Sequence, residues 1–130
     1  MPTNDRRRTL GARGEACAAA HLEAAGYRIL GRNVRADGVE IDLVVARGRI
    51  VAFVEVKTRA SRRAGAPEEA VDGRKRARIV RGALSWLRAN GVRGRSVRFD
   101  VVSVEPDGAG DLHASHRPGA FDAGDGIPRR

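Results

Sequence analysis

A chain of 130 residues has the length for one domain around a single apolar core. Its formal net charge of +9, from 25 Lys and Arg against 16 Asp and Glu, points to a polyanionic partner, nucleic acid ahead of a membrane surface. A lone cysteine excludes an internal disulfide and no apolar run is long enough to span a membrane, so a cytoplasmic protein without a membrane partner is expected.

Residues 1–8 are polar and basic and predict a flexible arm. Thr9 is suited to cap a helix from Leu10 to Ala25, which Gly26 would end. On that helix Leu10, Cys17, Ala20, His21 and Ala24 share one face, and Glu15 lies on a neighbouring face with Ala18, Ala19 and Leu22. An acid in an early helical turn is ordinarily a solvated residue favoured by the helix dipole, and the helix alone assigns Glu15 nothing more. Cys17, set among alanines, reads as a core thiol.

Tyr27 to Asn33 predicts a strand, and Arg35 to Gly38 the loop that follows. Next come two runs rich in β-branched residues, Val39–Val45 and Ile50–Thr58, joined at Arg47-Gly48-Arg49: a β-hairpin. A Gly48-Arg49 tip of type II′ sets Arg47 opposite Ile50, Val44 opposite Phe53, Asp42 opposite Glu55 and Glu40 opposite Lys57. An Arg47-Gly48 tip would slip each pairing by two and keep the same residues on one face. Val51 to Val56 is apolar on both faces, as a covered central strand would be. Two acids facing each other beside such a strand repel, and their burial calls for a cation. Lys57 is one, and a divalent metal is a better one. Only Lys57 and Lys75 among the 25 basic side chains are lysine, so position 57 reads as one that needs a compact ammonium whose pKa can move.

Arg59, Arg62 and Arg63 begin a basic connection that is either a solvated linker or, beside an acidic pocket, a hold on the phosphates flanking a cut. A second helix is expected from Glu68 or Val71 to Asn90, with Ile79, Val80, Ala83, Leu84 and Leu87 as its apolar stripe and Arg74, Arg78, Arg81 and Arg88 along another side. Such a stripe is either solvated or a backbone contact for nucleic acid. Ser96 to Glu105 predicts a fourth strand, interrupted by Asp100 as the hairpin is by Asp42, for a strand-end salt bridge or to orient Lys57. A short fifth strand at Leu112 to Ser115 precedes a tail over residues 117–130. His113 and His116 lack the second cysteine of the common zinc sets, and no glycine-rich phosphate loop is present.

The ordered set Gly11-Ala12-Arg13-Gly14-Glu15, Glu40-Ile41-Asp42-Leu43, Phe53-Val54-Glu55-Val56-Lys57-Thr58-Arg59 and Arg98-Phe99-Asp100-Val101-Val102 resembles the YraN-like family of bacterial endonuclease-like proteins. Asp42 followed by Glu55-Val56-Lys57 is similar to the core motif of the PD-(D/E)xK nuclease superfamily, in the manner of archaeal-type Holliday-junction resolvases, although the first acid follows Ile41 and not a proline. The order helix, strand, hairpin, helix, strand implies an α/β fold, a domain over residues 9–116 with a mixed sheet of four or five strands and flanking helices. The resemblance implies a restriction-endonuclease-like core. It implies catalysis by Asp42, Glu55, Lys57 and Glu15, and Mg²⁺ or Mn²⁺ held by Asp42, Glu55 and the Val56 carbonyl, with Glu15 and Glu40 as further acids. The expected activity is hydrolysis of phosphodiester bonds in DNA, branched or junction DNA included, with Arg59, Arg62, Arg63, Arg74, Arg78 and Arg81 on the nucleic acid. Junction cutting needs two active sites, so a homodimer accompanies that substrate. The alternative is a non-catalytic nucleic-acid-binding module in which Glu55 and Lys57 form a structural ion pair.

Overall fold

The computed structural model of the chain describes residues 3–60 and 73–123. Among these residues the order is α1 (Thr3–Ala24), β1 (Arg28–Ala36), β2 (Val39–Arg47), β3 (Ile50–Thr58), α2 (Gly73–Ala89), β4 (Ser96–Pro106) and β5 (Leu112–Phe121). The strands lie in sequence order in one sheet, antiparallel except for β3 beside β4. That parallel pair is where α2 sits in the chain, because parallel neighbours need a long crossover whereas antiparallel ones can turn tightly. The result is a single α/β domain with a five-stranded mixed sheet and β3 at its centre.

Turn chemistry sets the two hairpins. Asp37 and Gly38 take φ of 52° and 72°, the pattern of a type I′ turn, and Ala36 already pairs with Val39. The connection is therefore tighter than the loop expected over Arg35–Gly38. Gly48 takes φ of 59° and Arg47 pairs with Ile50, which selects the Gly48-Arg49 tip.

Each helix covers one face of the sheet. Beneath α2, Ile79, Val80 and Ala83 meet Val44, Val51, Phe53, Phe99 and Val101. Gly82 lets α2 approach closely, since a Cβ there would stand 3.0 Å from Val39 Cβ. Leu84, expected in this stripe, is exposed. Beneath α1, Ala18, Ala19 and Leu22 meet Leu43, Val45, Ala52, Val54 and Val102. The docked face of α1 is thus the one that carries Glu15, and Ala20, His21 and Ala24 are exposed.

Two ends differ from expectation. α1 reaches back to Thr3, so residues 3–8, expected as an arm, are helical; no glycine or proline lies between Thr3 and Leu10 to interrupt it. β5 runs past Ser115 to Phe121, whose ring stacks on Phe99 at 5.1 Å and is buried, so residues 117–121, expected as tail, belong to the sheet. Among the described residues no helix is long and apolar enough to cross a membrane.

Candidate functional site

Along β3, Val51, Ala52, Phe53 and Val54 are buried on both faces, whereas Glu55 to Arg59 are only partly covered. Polar side chains can therefore stand on this central strand only at its C-terminal end. The β2–β3 ladder stops just there: it runs from Arg47–Ile50 to Leu43–Val54, as the turn predicts, and the expected backbone pairings of Asp42 with Glu55 and Glu40 with Lys57 do not form. Like charges directly opposite destabilise a sheet, which accounts for the early end of the ladder. The alternation of side chains along β2 also changes phase around Asp42, since Val39 and Ile41 join the same apolar cluster as Val44 and Ala46. In place of a strand carbonyl, the Val56 N–H donates to Asp42 Oδ2 at 2.8 Å. The side chain of one acid is thereby fixed against the strand that carries the other.

Glu55 is held from two directions. Lys57 Nζ lies 3.4 Å from Glu55 Oε1, and Lys75 Nζ, from α2, lies 2.6 Å from the same oxygen. Glu55 and Lys57 are both largely covered, at 11% and 22% side-chain exposure. Asp42, Glu55, Lys75, Arg74 and Arg78 line an open cleft of about 550 Å³ between the sheet and α2, floored by Val39 and Ile79. The overhanging turn of α2, Gly73-Arg74-Lys75-Arg76, contains no acid.

The electrostatics are those of acids gathered against their preference. Burial, then the charge of Glu55, pushes the Asp42 carboxyl up to about 7; Glu15 adds to the rise, while the Val56 hydrogen bond and Lys75 oppose it. Burial, with Lys75 close by, draws Lys57 below the usual lysine range, and Glu55 only partly offsets this. Burial works against the charge on Lys75 too, but its bonds to Glu55 and Lys57 win and raise it. The two lysines are thus shifted in opposite directions.

Glu15 reaches the site from the opposite layer. A Cβ at Gly14 would fall on Thr58 Oγ1 and 2.7 Å from Thr58 Cγ2. Only glycine lets α1 pack onto the end of β3 at this point, and that contact brings Glu15 close enough for its charge to act on Asp42. Glu40 stands apart from Lys57 and pairs instead with Arg35 at 3.9 Å, both exposed, although it lines the cleft.

The arginines divide. Arg74 and Arg78 line the acidic cleft, whereas Arg81 and Arg88 line a separate groove with Asp37, 4.0 Å from Arg81. Arg59 is half-buried, with a covered Nη1 that has no hydrogen-bond partner among the described residues. Arg62 and Arg63 lie outside the described residues.

Among the described residues no group of three or more His, Cys, Asp or Glu is arranged to hold a metal. The donors present are two carboxylates, and a hard ion such as Mg²⁺ or Mn²⁺ takes oxygen ligands and keeps several of its waters, so one or two protein carboxylates suffice. The charge cost evident at Asp42 is what such a cation relieves. Asp42 and Glu55 fit the ion on both counts.

Asp100 belongs to a different cluster and does not orient Lys57. It is fully buried on the α1 face, where Arg98 grips both its oxygens at 2.8 and 2.9 Å, in accord with the salt-bridge reading. The residue that sequence reasoning missed is Lys75. The signal was available: it is the other of the two lysines in an arginine-rich chain.

Residues 14–104 match the uncharacterised protein family UPF0102. The chain is 54% identical over 98 residues to a UPF0102 protein of Moorella thermoacetica, spanning 75% of this chain and 82% of that one. It is 46% identical over 124 residues to a UPF0102 protein of Anaeromyxobacter dehalogenans, spanning 95% and 91%, and 47% identical over 116 residues to one of Symbiobacterium thermophilum, spanning 89% and 98%.

Proposed function

We propose that this chain, which belongs to the uncharacterised protein family UPF0102, is a metal-dependent nuclease that hydrolyses phosphodiester bonds in DNA, branched DNA included. The observation that carries the reading is Asp42: a buried carboxyl beside Glu55, pushed up to about 7, in a cleft that also holds Lys75, with Lys57 also paired to Glu55. A structural acid is ordinarily ringed by donors that hold its pKa down, whereas burial and Glu55 raise Asp42 in spite of Lys75 nearby.

Asp42 and Glu55 would hold Mg²⁺ or Mn²⁺, with the Val56 carbonyl as a further oxygen, and the ion when bound supplies an acidified water and charge stabilisation at phosphate. The Val56 N–H fixes the orientation of Asp42 through Oδ2. Lys57, drawn below the usual lysine range, takes a proton at Nζ from an attacking water more readily than an exposed lysine would. Glu15 adds negative charge at the metal side. Arg74 and Arg78 face the cleft, and Arg59 carries an unpartnered guanidinium nitrogen; these three suit the phosphates flanking the cut. The +9 charge of the chain steers a polyanion to the surface.

One observation favours a second reading. Asp42, Glu55, Lys57 and Lys75 balance one another in charge, so the cluster can stand as a structural one in a module that binds DNA without cutting it. Cleavage of labelled linear, flapped, four-way and single-stranded DNA, with and without Mg²⁺ or Mn²⁺, separates the two. The nuclease reading expects metal-dependent cutting that falls by about 10²-fold or more in Lys57→Ala and is lost in Asp42→Asn, with DNA affinity retained. Binding without cutting in every metal would establish the second reading.

A further inference from the structure

We infer that Lys75 is a built-in counter-ion that occupies the cation position of the acid pair and must leave Glu55 for a divalent metal to bind. The inference rests on the metal site proposed above and concerns how it is gated.

Its basis is geometric. The only two lysines of the chain converge on one oxygen, Glu55 Oε1, and the shorter contact belongs to Lys75, 2.6 Å against 3.4 Å for Lys57. Lys57 is on the same strand as Glu55, two residues on, whereas Lys75 comes from the other wall of the cleft. Lys75 also acts electrostatically on Asp42, so one ammonium serves both acids. A cation held by Asp42 and Glu55 would compete with Lys75 for Glu55 Oε1.

The charges lead to the same place. Arg74, Lys75 and Arg78 line the cleft beside the acids, so a divalent ion added there meets positive charge already standing at short range. Removing Lys75 from Glu55 frees the oxygen and moves one of those charges away. The displaced ammonium stays on the wall shared with Arg74 and Arg78, where a phosphate would meet it. Metal entry then changes Lys75 from partner of Glu55 to an added phosphate contact.

A site whose binding-competent state is populated only when a side chain has left binds with an apparent affinity lowered by that fraction. Removing the competitor should therefore tighten metal binding. Titration calorimetry with MnCl₂ on the full chain, without nucleic acid, tests this for Lys75→Met and Lys75→Gln, with thermal melting to verify folding. Arg78→Met, which removes a positive charge from the same cleft without touching Glu55, reports the general electrostatic effect. The expected result is an Mn²⁺ affinity about tenfold tighter in both Lys75 variants and changed by about twofold in Arg78→Met. Equal affinities in wild type, Lys75 and Arg78 variants would overturn the inference and leave the metal site standing. Absence of Mn²⁺ binding in all of them at millimolar concentration would overturn the metal site itself, and the inference with it.

Discussion

Two buried aspartates stand on this sheet and are treated in opposite ways. Asp100, on the α1 face, accepts two bonds from Arg98, one from the Gly119 N–H at 3.0 Å and a contact with His116 Nε2 at 2.7 Å. Burial alone would push its carboxyl up, but these partners outweigh burial and hold it below the usual range. Arg98 is anchored in turn, donating to Tyr27 Oη at 2.6 Å, and Tyr27 meets His116 edge-on. Among the described residues Asp42 has one hydrogen bond, from Val56, and a second acid beside it, and its carboxyl rises to about 7. An acid that stabilises the fold is surrounded by donors; one that is kept against stabilisation needs another reason to be there. The contrast is the physical ground for reading one cluster as a brace and the other as a site.

Breaking the brace should have the largest effect on stability. Asp100→Ala leaves the Arg98 guanidinium and His116 without their buried partner and loosens the end of β5, so a loss of about 3–5 kcal/mol is expected in urea denaturation. Asp100→Asn keeps some of the bonds and should lose less. Neither should alter the metal affinity of the folded protein.

The opposite sign is expected at Asp42. Unfolded, this carboxyl ionises near its ordinary value of 3.8; folded, it keeps its proton to about 7. Stability from this group is therefore fully present below pH 4 and is lost as pH rises to 7. Asp42→Asn, which can still accept from Val56 N–H, removes that loss. In chelator-containing buffer it should be more stable than wild type at pH 8, by on the order of 2 kcal/mol, with the advantage shrinking toward pH 4. A wild type that is the more stable at pH 8 would remove the strain argument at Asp42.

Gly14→Ala sharpens the comparison at the junction of α1 and β3. The added methyl falls on the Thr58 side chain, so about 1–3 kcal/mol of destabilisation is expected, partly recovered in a Thr58→Ala background. The smallest effect belongs to the rim of the cleft. Arg74→Ala and Arg78→Ala should weaken DNA binding alike for all sequences and each lower the salt slope by about 1, without touching stability.

The central hairpin was legible because its determinants are local. Gly48 takes the backbone its turn requires, and from there a period of two gives the pairings from Arg47–Ile50 to Leu43–Val54. The limits of that legibility are equally physical. The ladder was expected to continue through the acid pair, and repulsion together with the Val56 bond to Asp42 ended it one residue earlier. Helical spacing divided α1 into faces, but which face would dock depended on alanines meeting a sheet that no local pattern describes.

By itself, then, the sequence determined the α/β order of elements, the Gly48-Arg49 turn, the central strand and the intrahairpin acids with their lysine, since each depends on residues within reach of one turn or one strand period. Tertiary packing alone decided the rest. The docking of Ile79, Val80 and Ala83 against the sheet carries Lys75 across the cleft to Glu55, 20 positions away in the chain. The close approach at Gly14 turns Glu15 inward, and the ring of Phe121 draws β5 past its expected end. Partners so distant in sequence are chosen by how apolar faces bury one another, and only the folded chain brings their charges to a common point.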